Sequence, residues 1–307
     1  MLSFAPHRLA PLIFLLNRCV RAYLAYSPVT EGKRLLLNRA KPLIRPRSPE
    51  QTARTKHGFS LRLNLANPEQ ERIYYYGEHD ERYETAMLKA LLTPGMTCWD
   101  IGANIGFYTC LLATLVGARG SVVAFEPARA TRGRLEQNVA LNGLRNVRIV
   151  PCAVAASEGE AEIHYSSASL FEGTASLREL PGQVTSERVK VSTLDKLVHE
   201  LPAPDVLKID VEGAQLEVWR GGAQFFREHA PLVMAELRES DDAGALERVE
   251  AEVRRLGYEI YAIGKHCRVK RMPRLTPQGP RNYLLAKGNS GFGAALRQRE
   301  IRTGDCS

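Results

Sequence analysis

Between residues 96 and 286, short runs rich in apolar and β-branched residues alternate with longer segments of helical periodicity. The strand candidates are 96–101, 121–126, 147–152, 206–211, 232–236, 258–262 and 282–286. The helix candidates are 106–117, 128–142, 214–228 and 243–256. This alternation predicts an α/β fold, a seven-stranded, mostly parallel sheet with helices on both faces. Ligands of such sheets bind beyond the carboxyl ends of the strands.

The segment from 153 to 192 interrupts this alternation. It holds two strand-like pieces around a polar loop of small residues, Ser166–Thr185, and therefore predicts a β-hairpin-like insertion. The two pieces are Ala161–Tyr165 and Arg188–Ser192. Within the loop, Ser169–Leu177 fits either a lid over substrate or an ordinary hairpin loop. Upstream of residue 96, the pattern predicts a half-buried strand over Phe59–Leu65 and a helix over Glu81–Leu92.

The net charge of +8 is concentrated at the two ends of the chain. Residues 1–60 hold 11 basic and 2 acidic residues, residues 61–264 hold 21 and 30, and residues 265–307 hold 10 and 2. Enzymes that act on nucleic acids carry basic charge on the folded domain, so the acidic body argues against a nucleic-acid substrate. Basic ends suit an anionic membrane or partner, or are simply solvated. Six cysteines without a CxxC pair favour a reducing, cytoplasmic location.

The N-terminal segment contains an apolar run, Leu9–Leu16, which Arg18 and Arg21 follow. Residues 9–25 therefore predict an amphipathic helix. Its predicted apolar face consists of Leu9, Leu12, Ile13, Leu16, Val20, Tyr23 and Leu24, with both arginines elsewhere. Three interpretations stay open: a helix on a membrane surface, a helix packed on the body or on a second subunit, and a signal peptide. Residues 28–57 lack sustained periodicity and predict a linker or irregular basic arm.

A glycine-containing loop follows the first strand candidate of the alternating region. Asp100 ends that strand, and Gly102 and Gly106 let the backbone turn tightly before a helix. The spacing is GxxxG, which differs from the three-glycine dinucleotide fingerprint. An acid beside the loop would repel a pyrophosphate and suits a cationic ligand such as S-adenosylmethionine (AdoMet). Glu126, at the end of the next strand, is placed to accept hydrogen bonds from ribose hydroxyls; the alternative is that it caps the next helix.

At these positions the sequence resembles the FkbM family of AdoMet-dependent methyltransferases. The resemblance covers roughly residues 58–287, and LKIDVEGAQLEVWRGG contains its most specific piece, KIDVEG at 208–213. The matching segments are DIGANIGFYT at 100–109, STLD at 192–195 and LKIDVEGAQLEVWRGG at 207–222, followed by Pro231 and Ala235-Glu236. The family implies a Rossmann-like class I fold and methyl transfer, usually to a hydroxyl oxygen of a sugar or natural product.

The resemblance and the loop together predict a set of AdoMet-binding residues. They are Asp100, Gly102, Ala103, Asn104, Gly106, Phe107, Thr109, Glu126 and Ala153. Two positions depart from the expected pattern. Residue 215 is Gln where the family often has Glu, and no acid follows strand 147–152 to bind the adenine amino group. Backbone and apolar contacts from Cys152, Ala153 and Val154 would have to replace that acid.

Alternating charges in the KIDVEG segment provide the candidate catalytic group. Lys208, Asp210 and Glu212 share one face of a predicted strand, and burying them unpaired would be costly. We therefore expect them at the mouth of the sheet, where Glu236 also converges. In this hypothesis Asp210 is the general base or accepts a hydrogen bond from the substrate hydroxyl, Lys208 tunes or orients it, and Glu212 and Glu236 hold substrate hydroxyls. The alternative is a structural ion-pair cluster.

Two further side chains, His164 and Trp219, have residue types that occur in active sites. His164 is a second candidate base, although a structural role suits a lone histidine in that segment better. Trp219 is expected to be a packing residue. The acids form no recognisable metal-ligand set, so no metal is predicted.

The sequence thus favours an AdoMet-dependent O-methyltransferase acting on a small-molecule or glycan acceptor. The alternatives are N-methylation, methylation of a lipid-linked glycan at a membrane, a nicotinamide-dependent oxidoreductase, and an AdoMet-binding module without turnover. The predicted organisation is a basic arm over 1–57, a methyltransferase domain over 58–290 and a basic tail over 291–307. A homo-oligomer and a peripheral membrane contact through residues 9–25 are left open.

Overall fold

The computed structural model describes residues 10–29, 31–166, 184–211, 213–237 and 244–300. The chain divides into two compact units, Met1–Arg82 and Tyr83–Ser307.

The first unit combines three helices with a two-stranded antiparallel sheet. Its elements are α1 (Ala10–Tyr26), α2 (Lys33–Ile44), β1 (Glu50–Arg54), β2 (Ser60–Asn64) and α3 (Pro68–Tyr76). The strand expected over Phe59–Leu65 is present as β2, and it pairs with β1. The prediction of an irregular arm over 28–57 is wrong, because this segment contains both α2 and β1. The β1–β2 pairing crosses residue 57, where the sequence predicted the end of the arm. The two compact units divide after Arg82.

Helix α1 packs within its own unit through its second half, where Val20 and Leu24 are buried. The buried Asn17 donates from Nδ2 to the Ile44 carbonyl at 2.8 Å and accepts from the Tyr74 hydroxyl at 3.0 Å. Arg21 also lies on this packed side, with its guanidinium 3.8 Å from the centre of the Tyr74 ring. The expectation that Arg21 lies away from the packed face is therefore wrong. A cation–π contact and a hydrogen bond to the Tyr74 carbonyl at 2.8 Å hold it there.

The second unit contains an eight-stranded sheet, a three-stranded sheet and eight α-helices among the described residues. Its helices are α4 (Arg82–Leu91, which begins one residue before the boundary), α5 (Phe107–Val116), α6 (Arg129–Leu141), α7 (Leu194–Glu200), α8 (Gln215–Arg220), α9 (Ala223–Glu228), α10 (Ala245–Arg255) and α11 (Gly291–Gln298). Its strands are β3 (Thr97–Ile101), β4 (Ser121–Phe125), β5 (Val147–Val150), β6 (Cys152–Val154), β7 (Gly159–Ser166), β8 (Val184–Ser192), β9 (Val206–Ile209), β10 (Leu232–Glu236), β11 (Tyr258–Ile263), β12 (Val269–Arg271) and β13 (Asn282–Lys287).

The large sheet has the order β12-β11-β13-β10-β9-β3-β4-β5. Strands β10, β9, β3, β4 and β5 are parallel, and β13 runs antiparallel between β10 and β11. All seven predicted strands lie in this sheet, so the mostly parallel α/β class is confirmed. The eighth strand, β12, is a three-residue edge strand whose pattern is too short to recognise in the sequence.

Two predicted elements are each broken in two. The strand expected over 147–152 ends before Pro151, which has no N–H to continue the ladder, and β6 then joins the smaller sheet beside β8. The helix expected over 214–228 divides into α8 and α9 at Gly221-Gly222. A Cβ atom on Gly221 would lie 2.0 Å from the Ala155 carbonyl oxygen, so the glycine allows this close approach.

The predicted hairpin-like insertion is confirmed, since β7 and β8 pair antiparallel along their length. Residues 167–183, which include the candidate lid Ser169–Leu177, lie outside the described residues. The predicted basic tail is not separate from the second unit up to residue 300. Helix α11 buries Leu296, and Val269 forms a β-bridge with Glu300.

An aromatic cluster covers one side of the large sheet. Trp219 has no exposed surface and stacks on Phe226 with ring centres 4.1 Å apart, so the packing role predicted for Trp219 is confirmed. Trp99 of β3 stacks on Phe225 at 5.7 Å. These contacts fix α8 and α9 over one face of the sheet.

Candidate active site

Four neighbouring parallel strands bring the predicted site residues to one edge of the sheet. In the parallel pairings, the last positions on β10, β9, β3 and β4 are Ala235, Ile209, Ile101 and Phe125. The next residue on each strand is therefore Glu236, Asp210, Gly102 or Glu126. These four positions, separated by over 130 residues in sequence, become adjacent because parallel strands end at the same edge.

The glycine loop packs directly against the end of β9. Gly102 has φ 79°, and a Cβ atom there would lie 1.9 Å from the Asp210 carbonyl oxygen. The Asp210 amide also donates to the Ile101 carbonyl at 2.9 Å. Gly106 has φ 93°, and its missing side chain admits Leu135 of α6. Glycine is thus required at both positions, and the loop backbone packs directly against the backbone of Asp210.

Asp100 lies behind this loop, with no exposed surface. The Thr109 hydroxyl donates to its Oδ2 at 2.6 Å, and its Oδ1 is 3.8 Å from Nζ of Lys208. Burial raises the pKa of Asp100, and Lys208 and the Thr109 hydroxyl oppose that rise. Asp100 and the equally buried Thr109 therefore hydrogen-bond to each other behind the loop, and their contact with AdoMet stays a prediction.

Lys208 connects Asp100 to the edge of the sheet. Its side chain is 6% exposed, and Nζ donates to Oδ2 of Asp210 at 3.0 Å. The same Nζ lies 4.5 Å from the centre of the Tyr108 ring. The predicted common face of Lys208 and Asp210 is therefore present, whereas Glu212 lies outside the described residues.

The Asp210 carboxylate is the accessible member of this group. Its side chain is 38% exposed, in contrast to Lys208 and Asp100. A buried cation therefore holds an exposed carboxylate in place. Tyr108, which the sequence argument missed, supplies an aromatic face to the same cation. Its position two residues after Gly106, in the first turn of α5, is the sequence signal that could have identified it.

Glu126 is nearly buried and is held by two backbone amides. Its Oε2 accepts from the Asn104 amide at 2.9 Å, and its Oε1 accepts from the Ala128 amide at 3.0 Å. Burial raises the pKa of Glu126 to about 7, and the hydrogen bonds from the two backbone amides oppose this rise. The helix-capping alternative is thus partly correct, because Ala128 precedes α6, but the hydrogen bond from the Asn104 amide also fixes the glycine loop. Each carboxylate oxygen keeps a further lone pair for a ribose hydroxyl, so this residue fits AdoMet.

The remaining predicted residues are placed as follows. Gly102 and Asn104 are partly exposed in the loop, and Asn104 has φ 51°. Ala103, Gly106, Phe107 and Ala153 are buried. Glu236 is partly exposed at the edge of the sheet, and His164 lies on β7 of the smaller sheet. Over the described ranges, no three His, Cys, Asp or Glu side chains form a potential metal-binding group.

The sheet order, the glycine loop and the acid after β4 together define a Rossmann-like methyltransferase. Comparison with known proteins gives the family. The methyltransferase FkbM domain matches residues 100–260, more than half of the chain, so the chain belongs to the FkbM methyltransferase family.

Two curated relatives and one solved structure are similar to this chain. The hexuronic acid methyltransferase AglP of Haloferax volcanii is 28% identical over 53% of this chain, and the match spans 65% of that protein. The 31-O-demethyl-FK506 methyltransferase FkbM of Streptomyces tacrolimicus is 30% identical over 56% of this chain and 75% of that protein. The structure of methyltransferase FkbM from Methylobacillus flagellatus is 18% identical with a TM-score of 0.44, covering 91% of this chain and 59% of that one.

Proposed function

We propose that this chain transfers the methyl group of AdoMet to a hydroxyl of a sugar, glycan or natural-product acceptor. The observation that carries this proposal is the exposed Asp210 carboxylate held by buried Lys208 beside the glycine loop. The names of the relatives support the acceptor class, since one is a hexuronic acid methyltransferase and another a 31-O-demethyl-FK506 methyltransferase. Family membership also favours methyl transfer over the hydride transfer that the fold alone would allow.

The cofactor would be held by groups on β3, β4 and the loop between β3 and α5. Glu126 would accept hydrogen bonds from the ribose hydroxyls, and the backbone of Gly102 and Asn104 lies beside it at partly exposed positions. AdoMet, when bound, supplies an electrophilic methyl group on a sulfonium. The chain supplies the buried carboxylate of Glu126 and the glycine loop, whose shape that carboxylate fixes through the Asn104 amide.

Asp210 would act on the acceptor. An alcohol is a weak nucleophile until its proton is removed, and an exposed carboxylate can take that proton onto its oxygen. Lys208 is then a positioning residue, because its hydrogen bond to Oδ2 fixes the orientation of the carboxylate. Glu236, the adjacent residue across β9 and β10, would orient the acceptor hydroxyls.

The test compares Asp210→Asn with the wild type, using glucuronic acid as the first acceptor. We expect turnover to fall by about 10²–10⁴-fold, the usual contribution of a general base. AdoMet affinity measured by calorimetry should stay within about threefold, a difference of less than about 1 kcal/mol. The matched control is Glu136→Gln, the same chemical change at an exposed position of α6, which should leave both quantities unchanged.

Two results would contradict this assignment. Near-normal turnover in Asp210→Asn would remove that residue from proton transfer. If the wild type is folded and binds no AdoMet, the methyltransferase proposal itself is wrong.

A further inference from the structure

The first unit exposes large apolar side chains in one part of its sequence. Of the twelve exposed large apolar residues in the described part of the chain, eleven lie between residues 12 and 43. They are Leu12, Ile13, Phe14, Leu15, Leu16, Tyr23, Tyr26, Val29, Leu35, Leu36 and Leu43. The twelfth, Leu141, is in the second unit. Isolated exposed apolar residues are ordinary, but a concentrated group indicates an interaction surface.

The first turns of α1 are apolar on every side. Leu12–Leu16 are five consecutive exposed residues, from 40% for Ile13 to 65% for Phe14. Successive residues of a helix are about 100° apart, so five of them point all the way around its axis. A helix that docks on one protein partner needs one apolar stripe. An end that is apolar all round is suited to immersion in an apolar phase.

The length of this apolar end matches a membrane interface. Pro11–Leu16 spans about 9 Å at the helical rise of about 1.5 Å per residue. Interfacial helices bury their apolar groups about 5–10 Å into the boundary between headgroups and acyl chains. Within the described part of the chain, no helix has the length and hydropathy needed to cross a membrane. The geometry therefore favours a shallow contact.

The segment that contains this end is basic, which is complementary to anionic lipid. Residues 10–47 contain eight Lys or Arg and one Glu, for a net charge of +7. Arg18, directly after the apolar turns, is exposed, as are Arg34 and Arg39 of α2. Long basic side chains next to apolar groups at an interface reach lipid phosphates while their stems stay in apolar surroundings.

The rest of α1 is firmly held, which makes the apolar end part of a folded surface. Asn17, Arg21 and Leu24 attach the helix to its own unit. Lys33 donates to the Leu24 and Ser27 carbonyls at 2.8 Å and so caps the end of α1. We propose that the N-terminal end of α1 inserts into the surface of an anionic membrane, with the exposed arginines Arg18 and Arg39 contacting lipid phosphates. This inference does not rest on the proposed catalytic function.

Vesicle flotation of the full chain tests the proposal. Vesicles of phosphatidylcholine with about 30% phosphatidylglycerol model an anionic membrane, and pure phosphatidylcholine is the neutral comparison. We expect binding to the anionic vesicles, weakened but not abolished by about 0.5 M salt, because salt screens only the charge contribution. The double variant Phe14→Ser/Leu15→Ser should lower the apparent affinity by about tenfold or more.

The controls separate membrane insertion from misfolding and from self-association. Leu141→Ser, the same change at the exposed apolar residue of the second unit, should bind like the wild type. Because Phe14 and Leu15 are exposed, circular dichroism should show all variants folded. Absence of anionic-vesicle binding by the wild type, or undiminished binding by the double variant, overturns the proposal. So does a wild-type dimer in light scattering that fails to float and that Phe14→Ser/Leu15→Ser dissociates, since a second copy would then cover this end.

Discussion

The two units break opposite rules of protein architecture. The second unit buries charge: Asp100, Glu126 and Lys208 are each at most 6% exposed. The first unit instead exposes apolar side chains, with Phe14 and Leu15 more than half accessible. Each arrangement carries a free-energy cost in isolation, since buried charges lose hydration and exposed apolar groups order water.

The ligands proposed for the two units differ correspondingly. Where a natural chain departs from the usual patterning, the departure concentrates at functional sites. Buried, paired charges beside a glycine loop suit a small polar ligand with hydroxyl and cationic groups. Exposed apolar groups among arginines suit a phase that is apolar inside and anionic at its surface. Substitutions of the buried charges and of the exposed apolar residues should differ widely in their effects on stability and binding.

Replacing the buried cation should have the largest effect on stability. In Lys208→Met, fully buried Asp100 loses the ammonium that lies 3.8 Å from its Oδ1. Breaking a buried ion pair from one side costs about 3–5 kcal/mol, because the remaining charge is uncompensated. We expect a loss of this size in the free energy of unfolding of the second unit at neutral pH, measured with urea.

The pH dependence gives this prediction a definite sign. The pKa of Asp100 is already raised by burial, and losing Lys208 would raise it further. An acid with a raised folded-state pKa binds more protons when folded, so the variant should be least destabilised at low pH and lose stability as pH rises. Asp100→Asn/Lys208→Met should recover most of the loss. Lys196→Met, at an exposed ion pair with Glu158, should change little.

The first unit predicts a contrast within a single helix. Leu24 is 1% exposed and Leu15 is 57% exposed, although both lie on α1. Leu24→Ala should destabilise the first unit by about 2–4 kcal/mol through lost burial and a cavity. Leu15→Ala should stay within about 0.5 kcal/mol of the wild type. Hydrogen exchange of the α3 amides would measure both, and an equal loss in the two variants would mean that Leu15 is packed after all.

The sequence predicted the second unit well because strand and helix periodicities there are long and regular. It placed Lys208 and Asp210 on one face correctly, since residues two apart in a strand point the same way. It did not predict that Asp100 is fully buried, because position in a motif does not reveal depth. Only the pairing of β3 with β9 shows that Asp100 lies opposite Lys208.

The first unit was predicted less well for a physical reason. Its α2 contains Pro42 and a basic, leucine-rich pattern that composition alone assigns to a linker. The packing of α1 depends on Asn17 and Arg21, polar residues that a hydrophobic pattern places on the wrong side. Tertiary hydrogen bonds of this kind leave no periodic signal in the sequence.

The smallest predicted effect concerns Glu126 and the affinity of the second unit for AdoMet. Its pKa of about 7 means that it ionises near neutral pH, and the charged form accepts hydroxyl hydrogen bonds best. AdoMet affinity should therefore rise from about pH 6 to about pH 8, while the unfolding free energy of the ligand-free chain falls over the same interval. The two trends have opposite signs because burial favours the protonated form and the ligand favours the charged one.

Glu126→Gln isolates this effect. At about pH 8 it should weaken AdoMet binding about tenfold, the value of a hydrogen bond to a charged group, and it should flatten the pH dependence. Calorimetric titrations at several pH values would measure both, with Glu136→Gln on the exposed side of α6 as the matched control. If the wild-type affinity is flat across this range and Glu126→Gln binds equally well, Glu126 only fixes the Asn104 and Ala128 amides. The acid after β4 would then shape the loop without touching the ribose.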